Sequence, residues 1–471
     1  MLSKKVDIKQ LTATQQELAS SYGSRYISGP VARYELPEEQ LPAHVAYQVI
    51  HDEMNLDGNP AMNLATFVTT WMEPEADRLL AETLGKNYID QDEYPQTTEI
   101  QKRCVNMLAR LFGAAPHHSS VGTGTVGSSE AIHLAGLALK WKWRKRRAEA
   151  HLPAAQPNIV MGANVQVCWE KFARYFDVEP RYVPLTESRY VIGVNEALEM
   201  VDDNTIGVVG ILGSTYNGQY EPIKELNDSL LELNQRTGWD VPIHVDAASG
   251  GFVAPFLQPD LEWDFRLPLV RSINVSGHKY GLVYPGVGWV IWRDEEQLPQ
   301  ELIFHVNYLG GDQPTFNLNF SRGAGQIIAQ YYNFLRLGRA GYREIMINLQ
   351  ETARFLAAAI KDTGHFDLLS DDSGLPLVCF RLKTERAYSV FDVSDHLRAR
   401  GWIVPAYTLA PNAEHIAVLR IVVREGLSRD MAELLVDDIH RTVEHLDSVY
   451  RGAGTPTPHK SRQRRKTRAA C

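Results

Sequence analysis

The chain has 471 residues, of which 44% are hydrophobic and 22% are charged, and its formal net charge is −9. This length exceeds what one hydrophobic core usually serves and predicts two or three domains. The acidic balance argues against a protein that mainly coats nucleic acid, because such proteins carry excess basic residues to neutralise phosphates. We therefore expect a small-molecule substrate and no nucleic-acid partner.

The sequence carries no signal for export or for a membrane span. Its first ten residues contain neither an apolar run nor a small-residue cleavage site, and no stretch approaches the ~20 apolar residues that a span needs. We expect a cytoplasmic protein. Cys104, Cys168, Cys379 and Cys471 are scattered without C-x-x-C spacing. That pattern predicts reduced thiols and supports neither a bound metal nor a disulfide framework.

The first predicted segment, residues 1–60, mixes short helical signals with Pro30, Pro37, Pro42 and Pro60. Because proline interrupts helices, we predict an N-terminal arm. From 61 to 340, strand-length apolar runs alternate with helical patterns, which predicts a large domain with a mostly parallel sheet covered on both faces. The predicted strands are 158–161, 205–212, 243–246, 272–276 and 288–293.

The glycine-rich stretch 122–127 matches G-x-G-x-x-G, a pattern of dinucleotide-binding loops. Such a loop follows a strand, yet residues 116–120 make a poor strand and the next strand candidate begins at Asn158, so we predict no dinucleotide. The loop leads into Ser128, Ser129 and a helix, whose first N–H groups and hydroxyls suit a single phosphate. The alternative is that both serines only cap the helix.

The same helix ends in a basic and aromatic run, Trp-Lys-Trp-Arg-Lys-Arg-Arg at 141–147. Such a run is compatible with nucleic-acid binding or nuclear import. We prefer a structural interpretation, because cations stabilise the C-terminal end of a helix and tryptophan can pack inward.

A long helical pattern near 323–362 leads into a smaller α+β domain, predicted at 341–451. Its strand candidates are 377–382 and 415–423, and its helix candidates are 389–400 and 428–449. Residues 452–471 contain proline, glycine and six basic side chains after His459 but no apolar periodicity, which predicts a flexible basic tail.

Two predicted strand ends carry the clearest chemistry. One strand runs into Ser276-Gly-His278-Lys279, a turn that can present a lysine amine to a carbonyl, and another ends at Asp246 among small residues. Ligands of parallel sheets bind outside strand ends. A lysine that forms an imine and a carboxylate that keeps a pyridine nitrogen protonated predict pyridoxal 5'-phosphate as the cofactor. The alternatives are a surface lysine and a helix-capping aspartate.

Long motifs around these residues carry a family resemblance. They are His-Val-Asp246-Ala-Ala-Ser-Gly-Gly-Phe, Ser-Gly-His-Lys279-Tyr-Gly, Tyr284-Pro-Gly-Val-Gly-Trp, Asn63-Leu-Ala-Thr66-Phe67, Asp90-x-x-Glu-Tyr-Pro95, Gly127-Ser-Ser-Glu130, Gln166-Val-Cys-Trp and Asn319-Phe-Ser321-Arg. Over roughly residues 20–450 the chain resembles the glutamate decarboxylase family of pyridoxal-phosphate enzymes. The resemblance implies an α/β fold of the aspartate-aminotransferase-like type (type I). It also implies a homo-oligomer, a dimer at least and a hexamer as the larger alternative, in which the arm packs on a neighbouring subunit.

The resemblance also assigns roles to single residues. Lys279, Asp246 and His278 are implied to be catalytic. The implied cofactor-binding residues are Ser128, Ser129, Gln166, Thr215, Asp246, Ala248, Ser276, His278, Lys279 and Ser321. Ser321 would reach across the subunit interface, while Gln166 and Ala248 would sandwich the cofactor ring. Several related decarboxylases of substrates with aromatic side chains stack a histidine at the first of these two positions, so Gln166 favours glutamate decarboxylase.

Arg420 lies inside an apolar strand pattern, where an unpaired guanidinium would be costly, so we predict a carboxylate partner for it. The resemblance implies that this partner is the substrate's α-carboxylate. It assigns the distal carboxylate to Thr66, Phe67, Asn87 and Asp90. Arg424 is an alternative to Arg420, and a structural salt bridge stays open for both arginines.

The implied reaction is the decarboxylation of L-glutamate to 4-aminobutanoate and carbon dioxide. Two alternatives stay open: another amino-acid decarboxylase or carbon–carbon lyase on the same fold, and a scaffold protein whose basic tail recruits an acidic partner. In related bacterial enzymes a C-terminal histidine closes over the site at neutral pH, and His459 is the candidate here. Plant relatives bind calmodulin through a tail tryptophan that this tail lacks. We favour a pH-dependent lid over a partner site or a plain linker.

Overall fold

The computed structural model describes residues 34–308 and 311–452. The chain divides into two compact units, Met1–Pro60 and Ala61–Cys471. In the described part of the first unit, helix α1 (Ala43–Met54) begins directly after Pro42. Most of the predicted arm, and the predicted tail with His459, lie outside the described residues. None of the helices within the described ranges is long and apolar enough to cross a membrane.

A seven-stranded sheet organises the second unit. Its strands are β1 (Val121–Thr125), β2 (Asn158–Gly162), β3 (Glu179–Val183), β4 (Thr205–Ile211), β5 (Ile243–Asp246), β6 (Val270–Val275) and β7 (Gly288–Trp292). Their spatial order is β1-β7-β6-β5-β4-β2-β3. Strands β3, β2, β4, β5 and β6 run parallel, β7 is antiparallel to β6, and β1 is antiparallel to β7. The prediction of a mostly parallel sheet is confirmed.

Helices pack on both faces of this sheet. Those that contact its strands are α3 (Pro95–Leu111), α4 (Ser128–Glu149), α5 (Val167–Tyr175), α6 (Val194–Glu199) and α7 (Ile223–Thr237), whereas α2 (Pro74–Thr83) and the short α8 (Ala254–Leu257) contact the long helix at Gly325–Asp362. Neighbouring residues of β4 belong to different cores: Val208 joins the main core, whereas Val209 joins a second core with Trp169 and Phe172 of α5. Burial on both faces explains why this strand reads as a continuous apolar run.

The sequence analysis missed strands β1 and β3. In β1, Gly122 and Gly124 replace the usual β-branched residues; a Cβ on Gly122 would lie 2.5 Å from the carbonyl oxygen of Val290, so the close approach of β7 requires glycine. The expected glycine loop at 122–127 is therefore wrong in extent, because its first four residues are strand. Strand β3 is a largely exposed edge with a proline at its second position, which weakens its apolar signal.

Strands β8 (Phe304–Val306) and β9 (Gln313–Thr315) form a hairpin. A smaller antiparallel sheet contains β10 (Phe366–Leu368), β11 (Leu377–Leu382), β12 (Ala406–Thr408) and β13 (Ala417–Val422), in the spatial order β10-β11-β13-β12. It packs with α10 (Val390–Ala399) and α11 (Arg429–Gly452). The intervening helix α9 (Gly325–Asp362) is interrupted at Gly338, whose φ of 54° and ψ of −168° are not helical. The two longer strands and all three helices match the predictions.

The basic run at 141–147 forms the last turns of α4, as predicted. Trp143 is buried there, and the guanidinium carbons of Arg144 and Arg147 lie 4.7 Å and 5.7 Å from the ring centroids of Trp141 and Trp143. Cation–π contacts of this kind account for the mixture of basic and aromatic residues without a nucleic-acid ligand.

Candidate active site

A cavity of about 330 Å³ opens at the carboxyl ends of β5 and β6. This is where a parallel sheet binds ligands, because the loops that follow its strands converge there. Nine of the ten predicted cofactor-binding residues line it: Ser128, Ser129, Gln166, Thr215, Asp246, Ala248, Ser276, His278 and Lys279. The tenth, Ser321, does not line this cavity.

Lys279 follows β6 on a tight turn and points its amine into the cavity. Its Nζ donates a hydrogen bond to Ser249 Oγ at 3.2 Å and lies 5.5 Å from the ring centroid of Phe67. Burial lowers the pKa of the Lys279 ammonium below its ordinary value, and the nearby carboxylate of Asp246 offsets part of this effect. A lowered pKa increases the share of neutral amine, which is the form that attacks a carbonyl.

Asp246 ends β5 and is only 6% exposed. Its Oδ2 accepts a hydrogen bond from Trp169 Nε1 at 2.9 Å. Its Oδ1 accepts from Asn274 Nδ2 at 3.0 Å and from the backbone N–H of Ala248 at 3.2 Å. Three N–H groups donate to the carboxylate, and none of them is cationic. The carboxylate can therefore accept a further hydrogen bond from an N–H group of a ligand in the cavity.

The opposite end of the cavity suits an anion. Ser128 opens α4, and its Oγ lies 2.7 Å from Ser276 Oγ on the β6 turn. A Cβ on Gly288 would lie 2.5 Å from the carbonyl carbon of Gly127, so the helix start and β7 touch without room for a side chain. Backbone N–H groups at a helix start attract phosphate, and two hydroxyls add donors.

His278 lies beside this helix start and is held in one orientation. Its Nδ1 accepts a hydrogen bond from the backbone N–H of Val287 at 3.3 Å. Burial and, to a smaller extent, the positive charge of Lys279 lower the pKa of His278 to about 4. The ring is therefore neutral near pH 7 and, with Nδ1 accepting, carries its proton on Nε2.

The remaining cavity residues come from three loops. Gln166 caps α5 by accepting a hydrogen bond from the backbone N–H of Cys168 at 2.7 Å. Thr215 follows β4, and its carbonyl oxygen accepts a hydrogen bond from Arg420 Nη1. Ala248 is half-buried beside Asp246. The structure brings these three residues to one cavity, as the sequence analysis expected.

Arg420 on β13 is 7% exposed and adjoins the cavity. Besides Thr215 it donates from Nη2 to the carbonyl oxygen of Ala65 at 2.7 Å, and its guanidinium carbon lies 4.9 Å from the ring centroid of Phe67. Its buried Nε has no hydrogen-bond partner, and no carboxylate of the described residues pairs with it. A cation that is bonded to carbonyl groups alone is prepared to bind an anion.

Arg424, the alternative cation, is engaged within the chain. Its side chain is 1% exposed; Nη1 donates to Thr70 Oγ1 at 2.6 Å and lies 3.5 Å from Glu425 Oε1. Its Nη2 donates to the carbonyl oxygen of Asn63 at 3.1 Å. A structural salt bridge, left open for both arginines, therefore describes Arg424.

The predicted distal-carboxylate residues divide into two groups. Phe67 lies between Lys279 and Arg420, directly after Thr66, whose Oγ1 accepts from the backbone N–H of Val68 at 3.0 Å. None of the four lines the cavity itself, but Phe67 contacts Lys279, whereas Asn87 Nδ2 donates to Ser321 Oγ at 3.4 Å. The described residues of a single chain thus do not bring Asn87, Asp90 and Ser321 to Lys279.

Several residues at the site received no role from the sequence. They are Trp169 and Asn274, which donate to Asp246, Ser249, which accepts from Lys279, and His244, two residues before Asp246 on β5. One signal pointed to two of them: His244 and Asn274 are polar residues inside apolar strand patterns, the same feature that singled out Arg420. Trp169 and Ser249 had no comparable signal.

The polar groups at the two ends of the cavity fit pyridoxal 5'-phosphate. A carboxylate acceptor faces one end, a helix start with two hydroxyls faces the other, and a lysine amine lies between them. Among the described residues, no cluster of histidine, cysteine and acidic side chains is arranged to hold a metal. The fold and this cavity define a pyridoxal-phosphate enzyme of the mostly parallel α/β class.

Comparisons with known proteins agree. Residues 37–383 match the family described as "Pyridoxal-dependent decarboxylase conserved domain". Glutamate decarboxylase 1 of Arabidopsis thaliana is 60% identical over 91% of this chain and 86% of the relative, and the Petunia hybrida glutamate decarboxylase is 58% identical over 94% and 89%. The solved Lactobacillus brevis glutamate decarboxylase superposes with a TM-score of 0.89 at 47% identity, covering 92% of this chain and 99% of its own. The chain belongs to the pyridoxal-dependent decarboxylase family and, within it, to the glutamate decarboxylases.

Proposed function

We propose that the chain decarboxylates L-glutamate to 4-aminobutanoate and carbon dioxide. One observation carries the choice of an amino-acid carboxylate as ligand: Arg420 is a buried guanidinium beside the cavity that has carbonyl partners but no carboxylate within the described chain. Identities of 58% and 60% to glutamate decarboxylases that cover most of this chain support glutamate as the substrate.

Residues of the cavity divide the work of holding the cofactor. Ser128, Ser129 and Ser276 would hold its phosphate at the start of α4, together with the Nε2–H of His278. Asp246, whose two oxygens are oriented by three N–H donors, would accept a hydrogen bond from the ring nitrogen. When bound, pyridoxal 5'-phosphate supplies an electron sink for the electron pair that stays behind as carbon dioxide leaves.

Arg420 and Lys279 act on the substrate. Arg420 binds the α-carboxylate and fixes which bond of the α-carbon is broken. Phe67 lies against both cationic side chains and excludes water from the space between them. The Lys279 amine would hold the carbonyl carbon of the cofactor between turnovers and would release the product amine by taking its place there.

Oligomerisation completes the proposed site. Asn87 and Ser321 are hydrogen-bonded to each other outside the cavity of their own chain. We assign them, with Asp90, to the site of a neighbouring subunit in a homo-oligomer, a dimer at least. We also propose a cytoplasmic location. We propose a division of the chain into an arm (1–60), a large domain (61–340), a small domain (341–451) and a tail (452–471). For the tail we propose either an acidic partner or a role as a lid.

A direct assay tests the function. Purified protein, saturated with pyridoxal 5'-phosphate, is given L-glutamate or L-aspartate, and carbon dioxide release is measured. We expect release from L-glutamate and at most slow release from L-aspartate, whose distal carboxylate is one methylene too short to span the same two anchors. Equal rates with both substrates, or release from an aromatic amino acid instead, would contradict the proposal.

A further inference from the structure

Behind Asp246 lie three buried polar residues, Ser272, His244 and Asn274, that the function above does not use. His244 and Asp246 alternate on β5 and point to the same face of the sheet, and β6 places Ser272 opposite His244 and Asn274 opposite Asp246. All four side chains are buried, with 0% exposure for His244 and Asn274 and 1% for Ser272. We call Ser272, His244, Asn274 and Asp246 the buried network.

Hydrogen bonds join the network in a single line. Ser272 Oγ lies 2.8 Å from His244 Nδ1, and His244 Nε2 lies 2.8 Å from Asn274 Oδ1. Asn274 Nδ2 lies 3.0 Å from Asp246 Oδ1. The indole ring of Trp169 covers His244 edge to face, with 5.4 Å between ring centroids, while its Nε1 donates to Asp246 Oδ2. Trp169 of α5 thus contacts both His244 and Asp246 of β5.

The donors and acceptors of the network have one consistent order. Asn274 must turn Nδ2 towards Asp246, because its carbonyl oxygen would otherwise face the carboxylate, acceptor against acceptor. Its Oδ1 therefore faces His244 and needs a donor, which makes His244 the Nε2–H tautomer. Nδ1 of the same ring is then an acceptor, and Ser272 donates to it.

The imidazole is neutral in this arrangement. Burial lowers the pKa of His244 to about 4, although the hydrogen bond to Asn274 and the charge of Asp246 act in the opposite direction. A neutral ring has one N–H to give, and the network directs it towards Asp246. The opposite order of donors and acceptors would require a protonated Asp246 that donates to Asn274. The N–H groups that Trp169 and Ala248 direct at Asp246 disfavour this, because they stabilise the carboxylate.

We propose that His244 is a positioning residue for the cofactor: through the amide of Asn274 it holds Asp246 as a fixed, acceptor-only carboxylate at the ring-nitrogen end of the cavity. The proposal rests on the proposed decarboxylase function only for the identity of the cofactor, and it does not depend on the amino-acid substrate. Loss of the His244 N–H leaves a buried Asn274 oxygen without a donor, which frees the amide to rotate and withdraw Nδ2 from Asp246.

Two variants at His244 separate the hydrogen bond from the volume of the ring. His244→Leu fills much of the space and removes both nitrogens, whereas His244→Gln keeps an N–H where Nε2 lies now. Asn158→Leu is the matched control, because Asn158 is also 0% exposed in the same sheet but bonds to Asp202 and Thr205 at the other end of the strands. Any general loss of stability from removing a buried, hydrogen-bonded side chain appears in this control as well.

The first measurement is the affinity of the apoprotein for pyridoxal 5'-phosphate, with the visible absorption of the bound cofactor followed over pH. We expect His244→Leu to raise Kd by about tenfold or more and to move the pH midpoint of the absorption change. His244→Gln should recover most of both effects. Asn158→Leu should lower the melting temperature and leave Kd within about twofold of wild type, since it breaks no bond of the buried network.

The second measurement needs no bound cofactor. Ring ¹⁵N shifts of histidine-labelled wild-type apoprotein, assigned by comparison with His244→Gln, should show a neutral Nε2–H tautomer for His244. This test stands even if His244→Leu does not fold. An Nδ1–H tautomer, or a Kd and pH midpoint in His244→Leu that match wild type or the Asn158→Leu control, would overturn the proposal. Wild-type protein that fails to bind the cofactor would instead contradict the proposed function.

Discussion

Lys279 is buried near one anion and one cation, and its burial and both charges affect the pKa of its amine. Burial is the main cause of its lowered pKa; Asp246 opposes that shift, while Arg420 adds to it. The sequence alone predicted Lys279 and Asp246, because each follows an apolar strand. It could not predict the strength of their coupling, which depends on how Phe67 and Ser249 pack around the amine.

The coupling predicts an ordering of amine reactivity. In apoprotein, Lys279 should react with an amine-directed acylating reagent at lower pH than exposed lysines do, because its ammonium loses its proton more readily. Asp246→Asn should move the midpoint to still lower pH, since the carboxylate raises the pKa of Lys279. Mass spectrometry of the labelled peptide over pH measures this, with Lys279→Ala as the blank. A midpoint at the value of ordinary lysines would refute it.

The two buried arginines should respond differently to removal. Arg420→Gln should lower kcat/KM for L-glutamate by an amount equivalent to roughly 2–5 kcal/mol, because a bound carboxylate loses its charged partner. Arg424→Gln should act mainly on stability, because Arg424 holds Thr70, Asn63 and Glu425 together. Melting temperature and steady-state kinetics on both variants distinguish the roles. Near-native kcat/KM in Arg420→Gln would return the substrate role to Arg424.

At the scale of elements, strands of both sheets could be predicted from the sequence where they are buried on both faces. Strands β4, β5 and β11 read as apolar runs, and their positions followed from the sequence. The position of strand β1 did not, because Gly122 is required by the close approach of β7, which no local sequence pattern expresses. The interruption of α9 at Gly338 was equally invisible, since the apolar periodicity continues on both sides of it.

The contact between β7 and the start of α4 gives an element-scale prediction. Gly288→Ala should weaken cofactor binding and destabilise the fold by about 1–3 kcal/mol, because its Cβ would meet the backbone of Gly127 and Ser128 and displace the helix start. Gly85→Ala is the control, as a Cβ there meets nothing within 4 Å. Cofactor Kd and chemical unfolding measure both variants. Equal behaviour of the two would mean that the helix start tolerates displacement.

At the scale of the whole molecule, the described residues of one chain do not bring every predicted site residue to the cavity. The residues that line the cavity lie between Val126 and Lys279 in the sequence, whereas Asn87, Asp90 and Ser321 belong to a separate region. Sequence resemblance placed all of these residues in one site and assigned only Ser321 to a neighbouring subunit; it did not state which chain provides Asn87 and Asp90. A symmetric dimer, in which each chain lends this region to the other, reconciles both observations.

Complementation between two inactive variants tests that arrangement. Lys279→Ala lacks the amine. A double variant, Asn87→Ala with Ser321→Ala, lacks the side chains that each chain would contribute to the site of its partner. When both are refolded together, random pairing makes half of the dimers mixed, and each mixed dimer holds one intact site, so we expect about a quarter of wild-type activity. Mixing Lys279→Ala with Asp246→Asn is the control and should recover nothing, because both residues line the same chain's cavity. If the first mixture also stays inactive while mixed dimers form, Asn87 and Ser321 serve their own chain.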